Sequence, residues 1–530
     1  MGRRKRESRS GAAKGSSARK DGSRPTAASR HEPVRKRRSF LKRHRRLAER
    51  LPDLISCAVI AVAVLVVYYR VLHYFFAQDD FTSLWIANSP PETFWRILSS
   101  YVYFGGISAL FGFNAVAFHA LSLILHVANA CMVFFVARRF SSSHAACIFA
   151  SLFFGVHPSL YAPLISISSA GEILSCSFIL AASLYLLNAR KPHGLKGILV
   201  VSALFAGSLL CKEVTILFPL IVFAAYALRG RRLKEAVPTF VALAFVAAVY
   251  AGLFYQANIF GVRVPPEEGA YVLSGGSDLV TCLQTYFKWT FNIVEARAKD
   301  PTNLLDPEAS SWLAFGAVFF GVVVLAAGKK KVRAFYPTLW YFLMLLPVLP
   351  LTGHPYHYYL YIPLAGLAPV LAFYVSRIFR RVRSELPVSL ILGLLFLLNS
   401  HMIIDRTERA SVMGSQRKRD GLFDRPIVAG NLISDLSQIG IPRGAKLLLL
   451  SPVEDLKQGR FTEHPFVAAG GYYWDTNLRA AVAEDLGIKL FFPQVDTVAY
   501  AEFLGPEHSD FLIIRYTWDG HIRNLPELKQ

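Results

Sequence analysis

Eleven apolar segments, separated by short polar connections, limit what this chain can fold into more than any other feature. A helix needs about 20 apolar residues to cross a bilayer, and only helices and closed barrels satisfy their backbone groups in lipid. With 53% hydrophobic residues, the chain is too apolar for an ordinary soluble protein. We therefore predict an α-helical polytopic membrane protein with about 11 transmembrane helices over residues 51–404, some of them short for a full span. The segments lie near residues 54–76, 116–137, 145–157, 172–189, 197–211, 214–228, 236–256, 311–327, 334–351, 359–376 and 386–403.

The charges of the connections predict how these helices are oriented. With the N-terminus inside, five short inner loops carry 17 Lys and Arg residues, whereas the short outer connections carry only Arg96 and Lys212. Because Lys and Arg concentrate on the cytoplasmic side of membrane proteins, this alternation predicts a cytoplasmic N-terminus and an external C-terminus. The outer loops are 77–115 and 256–310, and the apolar-aromatic stretch 279–294 is expected to be an interfacial or re-entrant helix.

The first 50 residues form a strongly basic arm, with 19 Lys and Arg against 4 Asp and Glu. The arm is rich in Ser, Gly and Ala, so we predict that it is disordered and cytoplasmic. Three interpretations remain open: a topogenic tail that binds anionic lipid, a nucleic-acid-binding arm, and a charged tail without a specific partner. The first is favoured, because basic runs beside a membrane are attracted to anionic lipid. No aromatic residues alternate with the charges to stack on bases, so no nucleic acid is expected.

The composition changes after about Asp405. Apolar runs shorten to strand length at 446–450, 489–492 and 511–514, with helix-like stretches between them. Residues 405–530 therefore predict a small external α/β domain that folds autonomously and has no phosphate-binding glycine motif.

Two adjacent acids, Asp79 and Asp80, follow the first apolar segment. A carboxylate pair is costly to place near lipid, so chemistry or ion binding at the membrane surface is the favoured explanation. The alternative is an N-terminal cap on a helix that begins near Phe81, because Asp is favoured at that position. If the pair is catalytic, we expect only one of the two acids to face the reacting atom.

Other polar residues at the predicted outer ends are candidates for substrate binding. Lys212 and Glu213 could hold a phosphate or form a solvated pair, and Glu172 could act in the site or simply favour a helix N-terminus. Histidines at turns are more often structural, although a His and Asp cluster leaves a divalent metal open. The candidate set is Arg96, His157, Glu172, Lys212, Glu213, His354 and His357.

Several short motifs, taken in order, carry a resemblance to a known family. They are Asp79-Asp80, 95–98, 103–120, 126–130, His157-Pro158, 171–174, Lys212-Glu213 and 357–363. Over roughly residues 54–375 the chain resembles the GT-C glycosyltransferases, and it is similar to the protein O-mannosyltransferases and their tetratricopeptide-containing transmembrane relatives. It departs from them in having Tyr161-Ala162-Pro163 where a Glu is usual, Ala170 where an Arg is expected, and the small α/β domain instead of the repeats.

The resemblance implies a GT-C-like fold and an inverting enzyme. Such an enzyme moves a sugar from a polyprenyl-phosphate carrier to a hydroxyl of a protein or glycan acceptor on the outer face of the membrane. Asp79 or Asp80 would be the base, and the cations would stabilise the phosphate leaving group. The compact C-terminal domain favours a bacterial inner membrane, with the site in the periplasm. No cofactor is certain.

Two other classes of protein remain as alternatives. A transporter also has intramembrane acids and broken helices, but here the acids gather at one face rather than at the middle of the bilayer. A catalytically degenerate scaffold of the same fold would account for the changes at Ala162 and Ala170.

Overall fold

A computed structural model of the chain describes residues 32–91, 94–188, 194–260, 273, 275–291, 316–323, 325, 331–379, 385–412, 421–450, 474–501, 504–517 and 519–522. The chain divides into two compact units, Met1–Leu54 and Ile55–Gln530. In the first unit the structure describes helix from Glu32 onward. The predicted disordered arm therefore differs over its last part, where Arg, Lys, Leu, Ala and Glu are all good helix formers. Its first 31 residues lie outside the described residues.

The described part of the chain is mostly helical. The helices up to the second outer loop are α1 Glu32–Tyr68, α2 Asp79–Asn88, α3 Gly105–Phe111, α4 Ala115–Ala137, α5 His144–Gly155, α6 Ala162–Ile165, α7 Ala170–Asn188, α8 Leu195–Cys211, α9 Ile221–Leu228, α10 Val237–Phe260 and α11 Ser277–Phe291. The longer helices after it are Lys331–Leu345, Tyr361–Phe379, Glu385–Val412 and Gly421–Ser437. A π-helical turn, Leu98–Phe104, leads into α3.

Within the described ranges, six helices are long and apolar enough to cross a membrane, which indicates a membrane protein. They are Arg50–His73, Ala115–Ala137, Ile167–Asn188, Val237–Gln256, His357–Arg377 and Leu386–Asp405. A seventh would be the pair His144–Gly155 and Pro158–Ile165, which is bent by 48°.

The predicted count of 11 spans is not confirmed. The segments at 197–211 and 214–228 form short apolar helices, Leu195–Cys211 and Glu213–Leu228, which meet at the turn that carries Lys212. The segment at 334–351 corresponds to a helix of only 15 residues, Lys331–Leu345. Much of 311–327 lies outside the described residues. The predicted interfacial stretch at 279–294 overlaps α11.

The C-terminal part contains a small sheet, and the runs predicted as strands at 446–450 and 511–514 lie in it. The predicted strand at 489–492 is wrong, because most of that run belongs to the helix Leu486–Phe491. Strands β1 Ala445–Leu450, β2 Val495–Ala501 and β3 Leu512–Arg515 lie in the order β2-β1-β3, and both pairings are parallel. Two short helices, Trp474–Ala481 and Leu486–Phe491, precede β2. The four leucines Leu447–Leu450 of the central strand are buried, as expected for a parallel sheet that is covered on both faces.

The core of this sheet does not end at the domain boundary that was predicted from the sequence. One continuous buried cluster joins Leu447 and Leu449 of β1 to Phe76, Phe81 and Leu84 around α2. The C-terminal unit, residues 421–522, thus shares a core with α2, and its autonomous folding stays a prediction. Three short strands cannot cover both of their faces alone, and the residues around α2 supply apolar surface to them.

Candidate active site

The Asp79–Asp80 pair begins a helix after a sharply turned backbone. A 3₁₀ turn, Tyr69–His73, ends the first membrane helix, and α2 begins at Asp79. The residue before it, Gln78, has φ 52°, a left-handed conformation that is uncommon for residues other than glycine. Gln78 donates its backbone N–H to the carbonyl oxygen of Ala481 at 3.0 Å. Because Gln78 occupies the N-cap position, the cap near Phe81 that was considered as an alternative is not formed.

Asp80 is buried and acts as a hydrogen-bond acceptor for two segments. Its Oδ2 accepts the N–H of Ala77 at 3.1 Å, and its Oδ1 accepts the N–H of Ser168 at 2.8 Å. The Ser166 hydroxyl lies 3.4 Å from the same Oδ1. Burial raises the pKa of Asp80 to about 7, although the two backbone N–H groups oppose that rise. Asp80 thus ties the start of α2 to the turn Ile167–Ser169.

Asp79 lies in a different environment from its neighbour. It is exposed, whereas Asp80 keeps only 1% of its surface accessible. Adjacent residues at the start of a helix point about 100° apart, so one carboxylate can face solvent while the next enters the core. Of the pair, Asp79 is the acid that an external molecule can reach without rearrangement of the loop.

Arg96 and Glu213 form a bidentate ion pair. Nη2 and Nε of Arg96 donate to Oε1 and Oε2 of Glu213 at 2.6 and 3.1 Å. The Arg96 guanidinium also lies 4.4 Å from the centroid of the Trp95 ring. Partial burial would raise the pKa of Glu213, but the charge of Arg96 outweighs it and lowers that pKa to about 2. The pair therefore stays fully charged near neutral pH.

A second ion pair lies beside the first. Nζ of Lys212 is 3.0 Å from Oε1 of the buried Glu172, and it lies 5.7 Å from the ring centroid of Tyr358. Neither oxygen of Glu172 has an aligned hydrogen bond among the described residues, so the contact with Lys212 is an ion pair by distance only. Arg96 is close enough to Glu172 for the carboxylate to favour the charged guanidinium.

Close packing at a glycine brings the two ion pairs together. A Cβ atom on Gly171 would lie 2.9 Å from the carbonyl oxygen of Cys211 and 3.7 Å from Cδ of Lys212. The Ser99 hydroxyl donates to the same Cys211 oxygen at 3.0 Å. The start of α7, the end of α8 and the π-helical turn therefore meet at one point. Ser168, which binds Asp80, lies two residues before α7. The segment that leads into α7 therefore contacts both the loop that carries Asp79 and Asp80, here called the acid loop, and the two ion pairs.

The three candidate histidines separate into two groups. His354 belongs with the charges, because its Nε2 lies 3.1 Å from the Tyr358 hydroxyl, and burial together with Lys212 lowers its pKa to about 4. His357 instead stacks on Trp289, with ring centroids 3.9 Å apart. The Nδ1 atom of His157 accepts the N–H of Ser159, so its Nε2 is the donor to the carbonyl oxygen of Thr290 at 3.2 Å. His157 is therefore a neutral structural residue.

No group of three or more His, Cys, Asp and Glu side chains suited to a metal ion occurs in the part of the chain that the structure describes.

The site also contains residues that the sequence analysis did not name as candidates. Ser166 and Ser168 bind Asp80, and Gly171 and Ser99 position the end of α8. Of these four residues, only Gly171 had a signal in the sequence, as part of the Gly171-Glu172 motif.

No known protein family matches the sequence, and no curated protein matches it either.

Replacement of Gly171 by alanine tests the close packing at α7. We expect Gly171→Ala to destabilise the protein by roughly 1–3 kcal/mol, because the added methyl group would lie too close to the Cys211 carbonyl oxygen and the end of α8 would have to shift. Thermal unfolding in detergent measures the change. Gly106→Ala is the matched control, since no atom lies within 4 Å of its added Cβ. Equal melting temperatures for the two variants would contradict the packing argument.

The raised pKa of Asp80 predicts a pH dependence of stability. The folded state holds the proton up to about pH 7, whereas an unfolded Asp loses it near 3.8, so the contribution of this proton is present at acidic pH and is lost as pH rises between these values. Over that interval we expect wild type to lose up to about 4 kcal/mol relative to Asp80→Asn. Melting curves from pH 4 to pH 8 measure the difference, and a constant difference would contradict it.

Proposed function

We propose that this protein is a membrane glycosyltransferase that takes a sugar from a polyprenyl-phosphate carrier and transfers it to an acceptor hydroxyl. One observation carries the proposal. Arg96, Glu172, Lys212 and Glu213 come from distant parts of the chain, yet they meet beside the segment that binds Asp80. This transfer requires a carboxylate that accepts the proton of the attacking hydroxyl and cations that stabilise the phosphate leaving group.

Arg96 is the group best placed to bind the donor phosphate. A guanidinium has five N–H donors in a rigid fork, and Glu213 engages two of them. The ion pair therefore fixes the orientation of the fork while donors remain for phosphate oxygens. Lys212 adds a second positive charge close by, and the buried Glu172 lies 3.0 Å from its Nζ and helps to hold it there.

Asp79 is the candidate base, and Asp80 positions it. Asp79 is exposed at the start of α2, where it can take the proton from an acceptor hydroxyl. Asp80 is fully engaged by the backbone of two segments, so it acts through the geometry of the loop. Attack by the hydroxyl on the anomeric carbon, with departure of the polyprenyl phosphate, inverts the configuration of the sugar.

The charges of the connections support an orientation for the whole protein. The N-terminus lies in the cytoplasm, and the site and the C-terminal unit lie on the periplasmic side of a cell inner membrane. The basic arm then faces anionic lipids, and a protein or glycan acceptor approaches from outside.

A non-catalytic scaffold with the same fold is the second candidate. It is favoured by the pairing of Arg96 and Lys212 with carboxylates, which leaves the cluster without net positive charge to attract a phosphate. Such a protein would retain the packing described above and would transfer no sugar.

Transfer of radiolabelled sugar from polyprenyl phosphate, by the purified full chain with membrane extract as acceptor, separates the two candidates. We expect Asp79→Asn to lower the rate by about 10²- to 10⁴-fold, because the proton acceptor is lost. Donor binding should persist, since the cations hold the phosphate. The matched control is Asp278→Asn, which changes an exposed Asp in the first turn of α11 and should retain wild-type activity.

Two results would count against the enzyme. Absence of transfer by wild type with mannosyl, glucosyl, galactosyl and aminoarabinosyl donors would favour the scaffold. Wild-type rates in both Asp79→Asn and Asp80→Asn would remove the acid pair from the mechanism.

Labelling of engineered cysteines in intact cells tests the orientation. An impermeant thiol reagent should modify Ser277→Cys in the second outer loop and Glu507→Cys in the C-terminal unit, because both positions are exposed and external in the proposed topology. It should not modify Lys234→Cys until the membrane is opened. The wild-type chain, with its six native cysteines, provides the background signal. Labelling at Lys234→Cys in sealed cells would overturn the orientation.

A further inference from the structure

The loop that carries the two acids is surrounded by phenylalanines from both parts of the chain. Phe491 ends the helix Leu486–Phe491 of the C-terminal unit. Its ring centroid lies 5.4 Å from Phe75, 6.3 Å from Phe76 and 6.4 Å from Phe81, which directly follows Asp80. Aromatic pairs at these distances add about 0.5–1.5 kcal/mol each beyond their burial. The Phe491 ring of the C-terminal unit therefore contacts residues on both sides of the two acids in the sequence.

The backbone of the same loop is attached to the same unit. The hydrogen bond from the N–H of Gln78 to the oxygen of Ala481 stabilises the left-handed conformation immediately before Asp79. That conformation costs about 1–2 kcal/mol for an ordinary residue, so it persists only where the surroundings enforce it.

Gly487 permits this close approach. A Cβ atom on Gly487 would lie 3.0 Å from the Phe81 ring and 2.8 Å from the carbonyl oxygen of Val482. The preceding turn is itself tightly wound, since Ala483 and Glu484 have φ values of 50° and 61°. The C-terminal unit thus presents a shaped surface to the acid loop rather than a general apolar contact.

We infer that the C-terminal α/β unit positions the two acids, with Phe491 and Gly487 as the positioning residues and the carbonyl group of Ala481 as the backbone support. Without this surface, Gln78 relaxes to a right-handed or extended conformation, and Asp79 turns away from the place where the acceptor hydroxyl is held. The effect on catalysis rests on the proposed function, whereas the effect on the loop does not.

Hydrogen exchange in the full-length protein in detergent tests the inference without an activity assay. In Phe491→Ala, we expect the backbone amides of residues 78–84 to exchange at least about tenfold faster than in wild type. Phe491→Leu, which retains apolar volume, should show an intermediate rate. Gly487→Ala should also accelerate exchange, because its methyl group pushes against Phe81.

Leu448→Ala is the matched control. Leu448 is fully buried in β1, but it is not among the residues of the cluster shared with the acid loop, whereas Leu447 and Leu449 are. This variant should lower the melting temperature of the unit, but at temperatures where the unit remains folded exchange at 78–84 should stay as in wild type. Unchanged exchange in Phe491→Ala, or equal acceleration in Leu448→Ala, would overturn the positioning role.

The activity arm then separates this inference from the proposed function. In Phe491→Ala the turnover number for sugar transfer should fall at least about tenfold with an unchanged KM for the donor, and Phe491→Leu should recover part of it. If wild type transfers no sugar but exchange at 78–84 still depends on Phe491, the proposed function fails and the positioning role stands. If transfer in Phe491→Ala equals that of wild type while exchange accelerates, the loop is held for another purpose and the inference fails.

Discussion

The hydrogen bonds of the buried Asp80 carboxylate connect the segments on which the candidate site is built. They join the start of α2 to the turn before α7, and α7 carries Glu172 in its first turn. A buried carboxylate is tolerated only when its oxygens are satisfied, so loss of either N–H donor would leave a costly group in the core. These hydrogen bonds therefore help to fix the position of Glu172 relative to α2.

The neighbouring acid Glu172 is compensated by an opposite charge instead of by aligned hydrogen bonds. Glu172 is almost completely buried, and Lys212 lies beside it. The free energy needed to remove water from two charges often exceeds the free energy gained from their attraction. A buried ion pair is therefore weak evidence that its role is to stabilise the fold. Arg96 and Glu213 keep 28% and 32% of their side chains exposed, so water screens them and leaves the guanidinium accessible. These properties suit a binding site better than a structural core.

Local sequence patterns predicted much of the fold. The apolar runs near 116–137, 172–189 and 236–256 are long helices, and the strand-length run at 446–450 is the central strand of a parallel sheet. The number of spans and the core that the C-terminal unit shares with α2 were not predictable in the same way. Hydropathy reports the length of an apolar run, but neither the bend after Gly155 nor the core shared by Phe81 and Leu447 leaves a local pattern.

The sequence by itself determined which residues are apolar, where most of the long helices form and which charged groups lie at helix ends, because these follow from side-chain chemistry and short-range periodicity. Only the tertiary structure decided that Asp80 is buried while Asp79 is exposed, because that choice depends on a left-handed residue held by a distant carbonyl group. Only the tertiary structure paired Arg96 with Glu213 across 117 residues. Such contacts arise from packing between helices, which no single segment of the chain encodes.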